Sequence, residues 1–237
     1  MANPLISMAL APRAARPAAE AMVHGPRRFT WDELGDYVDR AAAVLQAHGV
    51  GPGAVVANQQ GKAIEEVVVV LAAARLGATP LNLHPTLTAP QVAEALARSG
   101  AHTLVLHRAR VRPLAAALTA PGLRLLVTIG QPLGPDCPFV PPSLAVQHLL
   151  DGVKITPPLQ AVIPAATPAA WHVALGLAGA PVEAWDADGL AAEARALAAA
   201  LGLGPSARLL SVIPFSTRPG LVSLLAAGIS RATTHLQ

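Results

Sequence analysis

The chain has 237 residues, of which 53% are hydrophobic and only 3% aromatic, so it can bury a substantial core of small and branched aliphatic side chains. The longest uninterrupted apolar run, residues 67–74, is far too short to cross a bilayer, which excludes a membrane span. The net charge of +3 is small, and the basic cluster Arg108, Arg110 and Arg112 lacks the interleaved aromatic residues of a nucleic-acid surface, so we expect no nucleic-acid partner.

The amino-terminal part predicts a lead-in, a hairpin and a first helix. Residues 1–20 lack a basic region before their apolar stretch, so we expect an irregular segment rather than a signal peptide and, by default, a cytoplasmic location. Residues 24–30 have the pattern of a small hairpin. Thr30 and Glu33 then form a capping-box pattern, and apolar residues at helical spacing predict a helix over residues 30–48.

Strands and helices alternate along the next part of the chain. Short apolar runs predict strands over residues 54–58, 80–83, 102–107 and 123–129, and helical periodicity predicts helices over residues 62–76, 88–98 and 113–119. Strands that alternate with helices of this length are typical of parallel βαβ units. The sequence therefore predicts an α/β fold with parallel-rich sheets flanked by helices.

A proline-rich stretch, residues 131–158, carries few periodic signals and predicts a long surface connection. It divides the chain into a predicted amino-terminal α/β subdomain, residues 1–130, and a second partial α/β subdomain, residues 159–237. In the second part, periodicity predicts helices over 190–201 and 220–227 and strands over 208–214 and 232–236.

Several sequence blocks occur in the order in which a known superfamily carries them. They are RRFTWDEL at 27–34, AAAVL at 41–45, HGVGPG at 48–53, AAARLGA at 72–78, PLN at 80–82, GLGP at 202–205 and LSVIP at 210–214. In these blocks the chain resembles the amino-terminal part of the adenylate-forming superfamily, which contains acyl-CoA ligases and adenylation domains. The resemblance implies the fold of that part and, for a complete enzyme, activation of a carboxylate with ATP and magnesium and transfer of the acyl group to a thiol.

The resemblance places the phosphate loop of the superfamily, which is rich in Ser, Thr and Gly and ends in Pro-Lys-Gly, at residues 174–183. The degenerate loop of this chain consists of Gly176, Leu177, Ala178, Gly179, Pro181, Val182 and Glu183 with the residues between them. Its glycines and proline match the loop of the superfamily, whereas the hydroxyl groups and the lysine are absent. Thr217 stands where the resemblance places a histidine beside the acyl and nucleotide site.

These substitutions predict that the chain has no catalytic residue and binds neither ATP nor magnesium. A lost charge-assisted hydrogen bond costs about 1.5–3 kcal/mol, and several are lost together. Gln237 also falls where a member of the superfamily would be less than half complete. The resemblance thus implies that the segments for adenine, ribose and magnesium, and the mobile carboxy-terminal domain with its lysine, are missing.

Other polar and aromatic residues are candidates for a pocket. Asn58 and Asn82 follow predicted strands, where open α/β sheets bind ligands. Trp171, His172 and Trp185 flank the degenerate loop and could line a pocket, although packing is the simpler interpretation, in the core for the tryptophans and on a strand for His172. No spacing of cysteine and histidine predicts a metal site.

The sequence supports three hypotheses for function. The first is a truncated, inactive relative of the ligases that binds a protein partner or an acyl-type small molecule. A truncated sheet would expose edges that need cover, so this hypothesis predicts a homodimer. The second is a subunit of a split ligase that another chain completes, and the third is a structural or regulatory module.

Overall fold

The computed structural model describes residues 4–134, 136–149, 170–173 and 182–237. The helices are α1 (Pro4–Ala9), α2 (Pro12–Ala15), α3 (Trp31–Ala47), α4 (Ile64–Arg75), α5 (Ala89–Ser99), α6 (Arg108–Val111), α7 (Ala187–Ala200) and α8 (Arg218–Ser230), with a 3₁₀ helix at Ala115–Thr119. The strands are β1 (Glu20–His24), β2 (Arg27–Thr30), β3 (Val55–Gln59), β4 (Thr79–Asn82), β5 (Thr103–His107), β6 (Leu125–Ile129), β7 (Ala145–His148), β8 (Ala170–Val173), β9 (Val182–Trp185), β10 (Arg208–Ser211) and β11 (Thr233–Leu236).

Within these ranges the strands form two sheets. The larger sheet has the order β7-β6-β5-β3-β4-β8-β9, and its neighbours are parallel except for the antiparallel pair β8 and β9. The smaller sheet has the order β10-β11-β1-β2, and only β1 and β2 are antiparallel. The predicted α/β fold with parallel-rich sheets flanked by helices is therefore confirmed.

The main core lies between the two sheets and is centred on α4. This helix contacts β3 and β4 of the larger sheet and β1 of the smaller one, and all its residues from Ile64 to Ala74 are buried. Because α4 is covered on all sides, its valines and alanines need no polar face. A second core packs α5 and the 3₁₀ helix against the opposite face of the larger sheet.

The amino-terminal segment corrects one expectation, because residues 4–15 form α1 and α2 instead of an irregular lead-in. Tertiary contacts hold these short helices: α1 packs on α4, α7 and α8. The Arg13 guanidinium forms ion pairs with three carboxylates of α3, those of Asp32, Asp36 and Asp39. A Cβ at Gly35 would lie 2.5 Å from the Arg13 side chain, so only glycine lets the arginine approach α3 this closely.

Two further sequence-based expectations are wrong in part. The predicted helix at 113–119 is instead a 3₁₀ helix at Ala115–Thr119, and Pro113, which lacks an N–H, lies between it and the short helix α6. The proline-rich connection contains β7, which pairs in parallel with β6. Its first two residues are exposed and its last two half-buried, so β7 lacks the apolar alternation that would reveal it in the sequence.

The predicted division into two subdomains stays a prediction. Both sheets take strands from both sides of the proline-rich connection, since β1 pairs with β11 and β4 pairs with β8. No helix in the described ranges is long and apolar enough to cross a bilayer.

Candidate functional site

Polar side chains converge where β3 and β4 end beside the loop between β10 and α8. Asn58 and Gln59 are the last two residues of β3, and Asn82 is the last residue of β4. All three residues are buried. The carboxyl ends of parallel strands are the usual ligand-binding edge of an open α/β sheet. Both asparagines predicted from the sequence therefore lie at this edge, with Asn58 and Asn82 in register on adjacent strands.

The two asparagines differ in how fully they are bonded. Asn58 Nδ2 donates to the Glu66 carbonyl at 3.2 Å, and Asn58 Oδ1 accepts from Gln60 Nε2 at 2.5 Å. Asn82 Nδ2 donates to the Phe215 carbonyl at 3.4 Å, whereas Asn82 Oδ1 and the neighbouring Ser216 Oγ have no partner among the described residues. Buried polar atoms normally have partners, so this junction has capacity for a polar ligand or a water molecule.

Lys62 and Glu66 complete the junction. Lys62 Nζ donates to the Ile213 carbonyl and lies 4.5 Å from the centre of the Phe215 ring. Burial lowers the pKa of Lys62 to about 8, and the nearby Glu66 carboxylate opposes this shift. Burial raises the pKa of Glu66 to about 8 against the opposing charge of Lys62.

The sequence analysis missed both of these groups. Their spacing of four residues was the available signal, because it places two opposite charges on one side of the helix predicted over residues 62–76, ahead of an apolar run. What the sequence could not show is that Glu66 is buried at the start of α4 and that Lys62, just before this helix, packs against the loop between β10 and α8. Burial is the main cause of the pKa shifts of Lys62 and Glu66.

Thr217, which the resemblance places where the superfamily has a histidine, is the N-cap of α8. Its hydroxyl donates to the Pro214 carbonyl at 2.8 Å and accepts from the Gly220 N–H at 3.3 Å. Thr217 thus uses its hydroxyl to fix the start of α8 beside Phe215 and Ser216.

The residues that flank the degenerate loop lie on β8 and β9. Asn82, His172 and Glu183 form one row of register partners across β4, β8 and β9, and Trp171 lies in the next row opposite Leu81. Trp185 is buried in the main core, and the Arg218 guanidinium lies 5.8 Å from the centre of its ring. The structure thus brings Asn82 and His172 onto adjacent strands and places Trp185 in the core.

Most of the degenerate loop lies outside the described residues. Gly176, Leu177, Ala178, Gly179 and Pro181 are in that part, whereas Val182 and Glu183 are the first two residues of β9. The loss of nucleotide binding by this loop therefore stays a prediction. In the described ranges no group of three or more His, Cys, Asp or Glu side chains could hold a metal ion.

Comparison with known proteins supplies the family. A family model described as AMP-binding enzyme matches residues 11–142, which is more than half of the chain. The chain belongs to the AMP-binding enzyme family. The matched range includes Asn58, Lys62, Glu66 and Asn82. The degenerate loop and Thr217 come after this range in the sequence.

Known relatives of this AMP-binding family member are much longer. Surfactin synthase subunit 3 of Bacillus subtilis (strain 168) is 32% identical over 113 residues, which are 48% of this chain and 9% of that protein. A 4-chlorobenzoate--CoA ligase of an Arthrobacter species is 28% identical over 92 residues, which are 38% of this chain and 18% of that ligase.

A solved structure shows the same fold. The long-chain-fatty-acid-CoA ligase FadD1 from Archaeoglobus fulgidus superposes with a TM-score of 0.84 at 18% identity, covering 98% of this chain and 46% of that ligase. The AMP-binding family member thus spans less than half the length of each of these three proteins.

Proposed function

We propose that this member of the AMP-binding family does not activate carboxylates by itself and acts by binding, either to a protein partner or to an acyl-type small molecule. The observation that carries the proposal is the exposed apolar edge formed by β10 and the residues after it. Leu210, Val212 and Ile213 are 59%, 57% and 43% exposed, although each is a large apolar side chain. Such a surface is typical of a protein interface.

The geometry of this edge fits a partner that adds a strand. Within the described ranges no strand lies on the outer side of β10, so its outer backbone groups are available for pairing. Beside the strand, α7, β10 and α8 enclose an apolar cavity of about 440 Å³. A partner strand would gain backbone hydrogen bonds from β10 and side-chain contacts from the cavity.

Two features of the chain support the absence of adenylation activity. By the resemblance, Val182 stands where the superfamily has a lysine that would face the phosphates, and Glu183 adds a charge of the wrong sign. By the same resemblance, Thr217 stands in place of a histidine, and its hydroxyl caps α8. Loss of the lysine alone would weaken ATP binding by one to two orders of magnitude, because a charge-assisted hydrogen bond is worth about 1.5–3 kcal/mol.

Calorimetry with ATP and magnesium tests this part of the proposal. We expect no saturable binding at micromolar ATP, and saturable binding there would refute it. A double variant, V182K with E183G, restores the Pro-Lys-Gly end of the loop and serves as the matched control. Tighter ATP binding by this variant would identify the loop chemistry as the limiting factor.

We further propose that a second copy of the chain covers the β10 edge. Light scattering at tens of micromolar protein should then report a dimer. Leu210→Lys should yield a monomer, because a lysine in the middle of an edge strand opposes strand pairing. Val146→Lys is the control: Val146 is 44% exposed on β7, an edge strand of the other sheet, and this variant should remain dimeric. A parent chain that is monomeric at this concentration would contradict the homodimer.

A split ligase is the second candidate, because the fold matches FadD1 over 98% of this chain but only 46% of the ligase. In that case a separate chain would pair with β10 and supply the remaining segments. Affinity purification of the tagged chain from its own cells, followed by mass spectrometry, would test this candidate. Recovery of a chain that resembles the later segments of the superfamily would support it, and L210K should lose that chain.

A further inference from the structure

A cavity of about 410 Å³ lies between the β2–α3 corner and the ends of β6 and β7. It is a separate feature from the junction at β3 and β4, and none of the residues discussed for nucleotide binding lines it. Phe29 and Tyr37 form one wall, and Ile129 and Leu149 contribute apolar surface opposite. The volume falls in the range of sites for small organic molecules.

The aromatic wall is held in place by its own contacts. The Phe29 and Tyr37 rings are stacked with centres 5.9 Å apart and planes inclined by 18°. The Arg27 guanidinium lies 5.3 Å from the centre of the Phe29 ring and 2.6 Å from Glu65 Oε1. Tyr37 OH donates to the same carboxylate oxygen at 3.4 Å. The two rings thus form a prebuilt surface for a flat apolar group.

Most of the charged side chains at the cavity form ion pairs or hydrogen bonds with other residues of the chain. The ion pairs are Arg27 with Glu65, Arg28 with Glu20, and Asp36 with Arg13. The Glu33 carboxylate accepts hydrogen bonds from Thr30 at the start of α3. Arg40, which is exposed at the rim, has no ion pair or hydrogen bond among the described residues. Arg40 therefore contributes a guanidinium that is available to pair with a ligand.

We propose that this cavity binds a small amphipathic anion with a flat apolar body and one carboxylate or similar group. The body would stack along Phe29 and Tyr37, and Arg40 would pair with the anionic group. A guanidinium matches the planar geometry of a carboxylate with two parallel hydrogen bonds. No nucleotide and no residue of the degenerate loop takes part, so this site and the ATP proposal can fail independently.

Calorimetric titration of the whole chain with 2-naphthoate tests the proposal. We expect one saturable site, and 2-naphthalenemethanol, which has the same rings without the charge, should bind about tenfold more weakly. Arg40→Gln should weaken naphthoate binding about tenfold and bring the two compounds to similar affinity. Phe29→Leu, which removes the ring and keeps apolar bulk, should weaken both compounds.

The matched control is Arg195→Gln, which removes an exposed guanidinium from α7 and should leave naphthoate binding unchanged. Unchanged thermal midpoints and circular dichroism of the two arginine variants would establish that each is folded. The proposal is overturned by a parent chain that shows no saturable binding, by an R40Q variant that binds as tightly as the parent, or by equal losses in R40Q and R195Q.

Discussion

Gly220→Ala is expected to lower the free energy of unfolding by about 3 kcal/mol, although alanine ordinarily stabilises a helix relative to glycine. Gly220 is the third residue of α8, and a Cβ there would lie 2.0 Å from the Pro214 carbonyl oxygen and 3.0 Å from that of Ile213. Both are backbone atoms that cannot rotate away. The helix start or the β10–α8 loop must therefore move, and the Thr217 cap must weaken with it.

Chemical denaturation of Gly220→Ala and of Gly204→Ala measures this effect. Gly204 is the matched control, because a Cβ at that position meets no atom within 4 Å. G204A should change the free energy of unfolding by less than about 1 kcal/mol. Equal stability of G220A and the parent would mean that the close approach of α8 to this loop is not maintained in solution.

Stability should fall as the pH rises from 5 to 8, and Glu66→Gln should remove most of that fall. Glu66 has a pKa of about 8 in the folded chain, above its ordinary value of 4.5, because burial disfavours its carboxylate form. The folded chain therefore retains a proton that the unfolded chain loses. The stabilisation is complete below pH 4.5 and is lost as the pH rises through 8, which amounts to about 3 kcal/mol between pH 5 and 8.

The titration of Lys62 does not cancel this fall in stability, because Lys62 changes the free energy of unfolding mainly at higher pH. Its folded pKa of about 8 is below its ordinary value of 10.5, so its contribution to stability increases with pH between those values. Urea denaturation of the parent, E66Q and an exposed-carboxylate control, Asp188→Asn, should be compared at pH 5 and 8. Parallel behaviour of the parent and E66Q would contradict burial of a protonated Glu66.

The elements of the fold that could be predicted are those that short-range sequence patterns specify. Thr30 caps α3 with Glu33 and Thr88 caps α5 with Gln91, as their spacing predicts. The alternation of strands and helices predicted the parallel sheet. The short helix α2 and the edge strand β7 were missed, because tertiary contacts, rather than a local pattern, maintain them.

The candidate site was predictable only in its location. The rule that ligands bind at the carboxyl ends of parallel strands identified Asn58 and Asn82. It could not identify Ser216, whose hydroxyl has no hydrogen-bond partner in the part of the chain that the structure describes, because its surroundings depend on where the β10–α8 loop packs. Nor could it identify Arg110 of the basic cluster, whose guanidinium donates to Gln59 Oε1 at 3.3 Å and to the Pro85 carbonyl at 2.9 Å.

The smaller sheet places β11 between β10 and β1, so the strand at residues 20–24 finds its parallel neighbour only at residues 233–236. During translation, β1 lacks this parallel neighbour until β11 has left the ribosome. Pairings between such distant segments fold slowly and leave apolar surface open to aggregation in the meantime. Nascent chains of this protein should therefore depend on chaperones until residues 233–236 have left the ribosome.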